Sequence, residues 1–158
     1  MTNIPFIRQL LKKALVPGET ITTSGESVEN YVDCRASMLR RPFLKSASYE
    51  MFCYTEHFFD KRPRYRRDTR RKFLAAVGAS ALPLVSAIVL EFDYEGVFVR
   101  EIAKAHGTKK IIEGLPLGDS LSGEDVVLID DVATTGGSLL RAANALKAAG
   151  AYVRGACV

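Results

Sequence analysis

Apolar residues recur at helical spacing from residue 2 to residue 15, where Ile7, Leu10, Leu11, Ala14 and Leu15 fall on one face. Pro17-Gly18 stops that helix. Residues 21–35 are rich in turn formers and become extended around Tyr31-Val32-Asp33, and a loop follows near Arg40-Arg41-Pro42. The spacing then predicts a helix over 45–59 that carries Tyr49, Phe52, Cys53 and His57 toward one side. Strands are predicted at 73–77, 97–100, 126–129 and 151–158, with a helix opening near Pro83, a polar loop over 101–122 and a helix over 139–149 ending at Gly150. Because strands alternate with helices, the fold class is α/β with a mainly parallel sheet flanked by helices.

One stretch tests that reading. Residues 73–90 are apolar and nearly uncharged, about the length of a membrane span, and follow a basic run. Gly78, Ser80, Pro83 and Ser86 break the stretch into a strand, a small-residue loop over 78–81 and a helix with proline in its first turn. The expectation is therefore a protein with no membrane segment.

Composition narrows the class only a little. A chain of 158 residues, 47% hydrophobic and 25% charged, has the content of one globular domain, here a helical hood over 1–60 and a core over 70–158. Cys34, Cys53 and Cys157 are odd in number and lack metal-ligand spacing, which points to a reducing, cytoplasmic setting. Residues 1–15 lack the uninterrupted apolar core of a secretory signal. A net charge of +4 suits a protein that handles polyphosphate, and suits a nucleic-acid binder equally.

Candidate chemistry concentrates at residues 126–140. Val126-Val127-Leu128-Ile129 has the character of a strand covered on both faces, and Asp130 and Asp131 stand at its C-terminal end, where open α/β sheets place their ligands. Val132-Ala133 leads into Thr134-Thr135-Gly136-Gly137-Ser138, which offers hydroxyls and bare backbone amides at a helix N-terminus to a phosphate. A ribose diol donates strong, charge-assisted hydrogen bonds to carboxylates, which would repel a phosphate. The simpler alternative is a βα turn in which one aspartate only caps the helix.

This stretch resembles the phosphoribosyl pyrophosphate (PRPP) motif of the type I phosphoribosyltransferases. Three further segments resemble the orotate branch of that family: Ser24-Gly25-Glu26-Ser27 with Tyr31-Val32-Asp33-Cys34-Arg35, the pyrophosphate loop at Gly78-Ala79-Ser80-Ala81, and the segment from Phe98 through Arg100, Lys104 and His106 to Glu113-Gly114. The resemblance implies a Rossmann-like fold with a small N-terminal hood. It also implies transfer of phosphoribose from PRPP to orotate, or to another base, in pyrimidine nucleotide synthesis. In that reading Asp130 and Asp131 act on the ribose, Val132 to Ser138 hold its phosphate, and Arg100, Lys104 and His106 neutralise the departing pyrophosphate. Lys104, His106, Asp130 and Asp131 are the catalytic candidates. Magnesium is held mainly by PRPP and water rather than by direct protein ligands. The loop carrying Lys104 and His106 reaches into a partner subunit, which implies a homodimer. Tyr31 either packs on the base or is a core tyrosine.

Departures from the family pattern are local. Glu101 stands where a lysine is usual beside Arg100, Thr23 replaces a substrate-contacting lysine, and the family's next strand, with an orotate-binding arginine, falls beyond Val158. The expectation that follows is transfer to orotate that is slow or absent. Separately, eight of the twelve residues over 61–72 are Lys or Arg. That run reads as a solvated linker, with contact to RNA or DNA phosphates, and hence a catalytically weak regulator, as the alternative.

Overall fold

The computed structural model describes residues 4–21, 25, 27–60, 71–100 and 111–158. The first helix, α1 (Ile4–Ala14), follows the predicted spacing, with Ile7 and Leu11 partly buried against the core and Ala14 buried. The chain does not turn off at Pro17-Gly18, however. It continues into β1 (Leu15–Ile21), which pairs antiparallel with β2 (Ser27–Val32) and shifts register between Pro17 and Thr20. The strand escaped the sequence pattern because it is exposed along nearly its whole length and has no buried alternating face. Pro17 and Gly18 mark its irregularity rather than its end, as both residues do in strands.

A one-turn helix, α2 (Arg35–Met38), leads to α3 (Arg41–Asp60), which starts four residues earlier than the spacing suggests because Pro42 is accommodated in its first turn. Its inward face also differs from expectation. Phe43, Ala47, Ser48, Glu50, Thr55 and Phe59 are buried, whereas Cys53 is exposed and Tyr49 nearly half exposed. Ser48 and Thr55 disguise that face. Each hydroxyl donates to a carbonyl one turn back, Lys45 and Phe52 respectively, so burial costs these polar residues little.

The remaining elements are β3 (Lys72–Val77), α4 (Leu82–Glu91), β4 (Glu95–Val99), β5 (Ile112–Glu113), β6 (Asp125–Ile129), α5 (Gly137–Ala148) and β7 (Tyr152–Cys157). The sheet has the order β5-β4-β3-β6-β7, parallel throughout except for β5, a short antiparallel strand inside the expected polar loop. Alternation on the strands separates two apolar layers. Leu74, Ala76, Val127 and Ile129 face α3 and α4, and Phe73, Ala75, Val97, Val126 and Leu128 face α5. Each large side chain buried this way contributes roughly 1.5–3 kcal/mol. The 73–90 stretch thus divides into β3, a turn and a ten-residue helix, and among the described residues no helix is long and apolar enough to cross a membrane.

Charge gathers at the N-terminal ends of the strands. Arg71 donates both terminal nitrogens to Asp119 at 2.7 Å and its Nε to Glu124 at 3.2 Å, and Lys72 pairs with Glu56 at 2.8 Å. These are the described members of the basic run, and acidic partners hold both. The other six lie outside the described residues. Arg154, the residue accommodated at the β6–β7 register shift, donates through Nε to fully buried Asp125 at 2.7 Å.

Candidate active site

β3 and β6 are adjacent and parallel, so the loops leaving their C-terminal ends emerge side by side. The first loop turns at Gly78, whose φ of 70° favours glycine and whose amide donates to the Val99 carbonyl at 3.1 Å. Ala79 is exposed, Ala81 is buried, and the Ser80 hydroxyl donates to Asp131 Oδ1 at 2.8 Å. One hydrogen bond therefore joins the small-residue loop to the paired carboxylates.

Asp130 is only 6% exposed, with its amide donating to the Cys157 carbonyl at 3.1 Å and its Oδ1 accepting the Asp131 amide at 2.9 Å. Neighbouring β7 and the next residue thus fix its position. Val132, Ala133, Thr134 and Thr135 are exposed, and Gly136, at φ 74°, turns the chain into α5. The helix starts at Gly137, two residues before the periodic pattern; its N-cap, Gly136, has no side chain, and the Gly137 amide donates to Thr135 Oγ1 at 3.4 Å. That geometry excludes the alternative in which Asp130 or Asp131 is merely a cap. First-turn amides at a helix N-terminus next to exposed threonine hydroxyls form a place where a phosphate can bind. Arg141 was not anticipated: its Nη2 donates to Ser138 Oγ at 3.1 Å, over the first turn of α5. The Ser138/Arg141 spacing of three on a helix is the signal that could have revealed it.

The hood meets the carboxylates from the other side. Cys34 is buried among residues that include Ile129 and Cys157, and its thiol is pushed up to about 11, first by burial and then by the negative charges of Asp131 and Asp33. Tyr31, half-buried at the end of β2, and Arg35 complete this rim. Arg35 binds Asp33 through Nε at 2.9 Å, which lowers the Asp33 pKa. Arg100 follows Val99, whose carbonyl accepts the Gly78 amide, and its guanidinium meets Glu113 at 2.8 and 3.0 Å and covers the Phe98 ring. Glu113 raises its pKa further. Glu101, Lys104 and His106 lie outside the described residues, as does Thr23. Among the described residues no cluster of three or more His, Cys, Asp or Glu could hold a metal. The hard oxygens of Asp130 and Asp131 suit the water shell of a magnesium ion held mainly by substrate.

A doubly layered parallel sheet with paired aspartates and a phosphate-type loop at its C-terminal edge defines an α/β protein built to hold a phosphorylated sugar. The chain belongs to the phosphoribosyltransferase family, whose model, described as "Phosphoribosyl transferase domain", matches residues 57–158. Orotate phosphoribosyltransferase of Pyrococcus furiosus is 33% identical over 154 residues, 95% of this chain and 76% of the relative. That of Bradyrhizobium diazoefficiens is 31% identical over 144 residues, 86% of this chain and 70% of the relative. The solved orotate phosphoribosyltransferase of Mycobacterium tuberculosis H37Rv, in complex with Fe(III) dicitrate, is 26% identical with a TM-score of 0.67, covering 96% of this chain and 79% of that one.

Proposed function

We propose that this chain transfers the 5-phosphoribosyl group of PRPP to orotate, giving orotidine 5'-monophosphate and pyrophosphate. The observation that carries the reading is the Ser80–Asp131 hydrogen bond, which sets the 78–81 loop against the aspartate pair at the mouth of the α5 N-terminus. Three groups of PRPP then have complementary partners within one cleft edge. The 5'-phosphate suits the amides and hydroxyls of Thr134 to Ser138, the ribose hydroxyls suit Asp130 and Asp131, and the pyrophosphate suits the backbone of Gly78 to Ala81.

The reacting carbon becomes oxocarbenium-like as pyrophosphate leaves, so the residues must hold the ribose still and neutralise the leaving group. Asp130, immobilised by Cys157 and by the Asp131 amide, meets the first need. Arg100 and, by family resemblance, Lys104 and His106 meet the second. Magnesium is the metal that pyrophosphate and two hard carboxylates favour, and when bound it supplies further charge neutralisation. Tyr31 supplies the base side of the cleft. A homodimer, in which the partner completes each site, and a cytoplasmic setting belong to the same reading.

The test follows orotate disappearance at saturating PRPP and magnesium, with calorimetric titration of PRPP alongside. Orotate-dependent turnover that Asp130→Asn/Asp131→Asn abolishes is expected. Equal PRPP affinity in the wild type and this double variant would refute the site, and turnover with a different base would redirect the specificity.

A further inference from the structure

We infer that Arg141 is a phosphate ligand, adding a guanidinium to the backbone cradle at the α5 N-terminus; the inference rests on the reading of residues 134–138 as the 5'-phosphate site. Side chains on a helix lean toward its N-terminus, and Arg141 follows that rule back over the first turn. Its Nη2 donates to Ser138 Oγ at 3.1 Å, and its Nη1 lies 3.3 Å from where a Cβ on Gly137 would stand. Gly137 thus leaves the guanidinium close to the first-turn amides, of which that of Gly137 reaches Thr135 Oγ1 at 3.4 Å.

That placement is electrostatically wrong for the helix alone. Cations are favourable at helix C-termini and unfavourable at N-termini, where the amide dipoles already carry positive partial charge. No acidic residue lies in the first turn of α5, and Gly136 brings no capping side chain. Positive charge from dipole and guanidinium therefore converges next to the exposed Thr134 and Thr135 hydroxyls, and among the described residues Arg141 has no ion-pair partner. A bound phosphate resolves the conflict. Arginine presents five donors in a planar fork, of which Ser138 takes one, and a phosphate monoester can accept a parallel pair of the others in the bidentate geometry arginine favours.

The experiment compares wild type, Arg141→Gln and Arg141→Lys by calorimetry with ribose 5-phosphate and, separately, with inorganic pyrophosphate. Arg141→Gln should weaken ribose 5-phosphate binding by about fivefold to tenfold, with partial recovery in Arg141→Lys and unchanged pyrophosphate binding. In turnover, KM for PRPP should rise by a similar factor while kcat holds, the signature of uniform binding. The melting temperature of Arg141→Gln should stay level or rise, because a cation has left the positive end of a helix. Ribose 5-phosphate binding as tight in Arg141→Gln as in wild type overturns the inference, and so does an equal loss of pyrophosphate binding. A wild-type protein that binds pyrophosphate but not ribose 5-phosphate refutes the phosphate reading of the loop itself, and the role of Arg141 with it.

Discussion

Arg100 and Glu113 close on each other through two hydrogen bonds of 2.8 and 3.0 Å, from the residue after β4 to the last residue of β5. The backbone repeats the contact, since the Arg100 amide donates to the Ile111 carbonyl at 2.9 Å and Phe98 stands opposite Glu113. The pair therefore ties together the two ends of the segment that carries Lys104 and His106. It also places a carboxylate on the cation that the proposed reaction assigns to pyrophosphate.

The first prediction uses that competition. Both side chains are about one-quarter exposed, so Glu113→Gln should cost about 1 kcal/mol of stability, read as a lower urea midpoint. Inorganic pyrophosphate should nevertheless bind the variant more tightly, by about twofold to fivefold, because the phosphate no longer shares Arg100 with a charged rival. Weaker pyrophosphate binding would show that Glu113 aims the guanidinium instead of competing for it.

A second prediction concerns the docking of α3 on β7. A Cβ built on Gly155 would lie 2.3 Å from Phe58 Cε1 and 2.5 Å from Cδ1, closer than real contacts permit. Phe58 is packed against the core, so its ring has little room to yield. Gly155→Ala should destabilise the protein by about 1–3 kcal/mol, and Phe58→Leu in the same chain should recover part of that loss. Additive losses in the double variant would mean that the strand, not the ring, absorbs the strain.

These contacts mark how far residue pattern alone could be read. Residues 126–140 were legible because burial on both faces leaves an unbroken apolar run, and because aspartates and glycines directly follow it. β1 was not legible, since an exposed ribbon paired only with β2 has no face to write into the sequence. The buried side of α3 was misread because Ser48 and Thr55 satisfy their hydroxyls locally and so behave as core residues. Of the site, the aspartate pair and both loops could be named from sequence, whereas the Ser80–Asp131 bond, the Arg100–Glu113 pair and the position of Arg141 are tertiary facts.

The third prediction is an acid dependence at the opposite end of the sheet. Hydrogen bonds from Arg71 hold the Asp119 carboxyl down at about 2, below its ordinary 3.8. A depressed folded-state pKa gives stability that is fully present above the unfolded value and is lost as pH falls through the folded one. The difference in urea midpoint between wild type and Asp119→Asn should therefore persist from neutral pH down to about 4 and close between about 4 and 2. A gap of constant size down to pH 2 would separate Asp119 from the acid response.

The last prediction turns the cysteines into reporters of the site. Burial pushes the Cys157 thiol up to about 11, and burial together with Asp131 and Asp33 does the same for Cys34. At pH 8 each then carries on the order of one thiolate per thousand molecules, and the thiolate is the species that alkylates. Cys53 is exposed on α3, so iodoacetamide should label the native protein there first, as read by peptide mass spectrometry. Because Asp131 is one cause of the Cys34 shift, Asp131→Asn should speed labelling of Cys34 without changing that of Cys157, which owes its shift to burial alone. Equal acceleration at both cysteines would mean that the substitution loosens the core, and no acceleration at either would mean that the charge of Asp131 does not reach the Cys34 thiol.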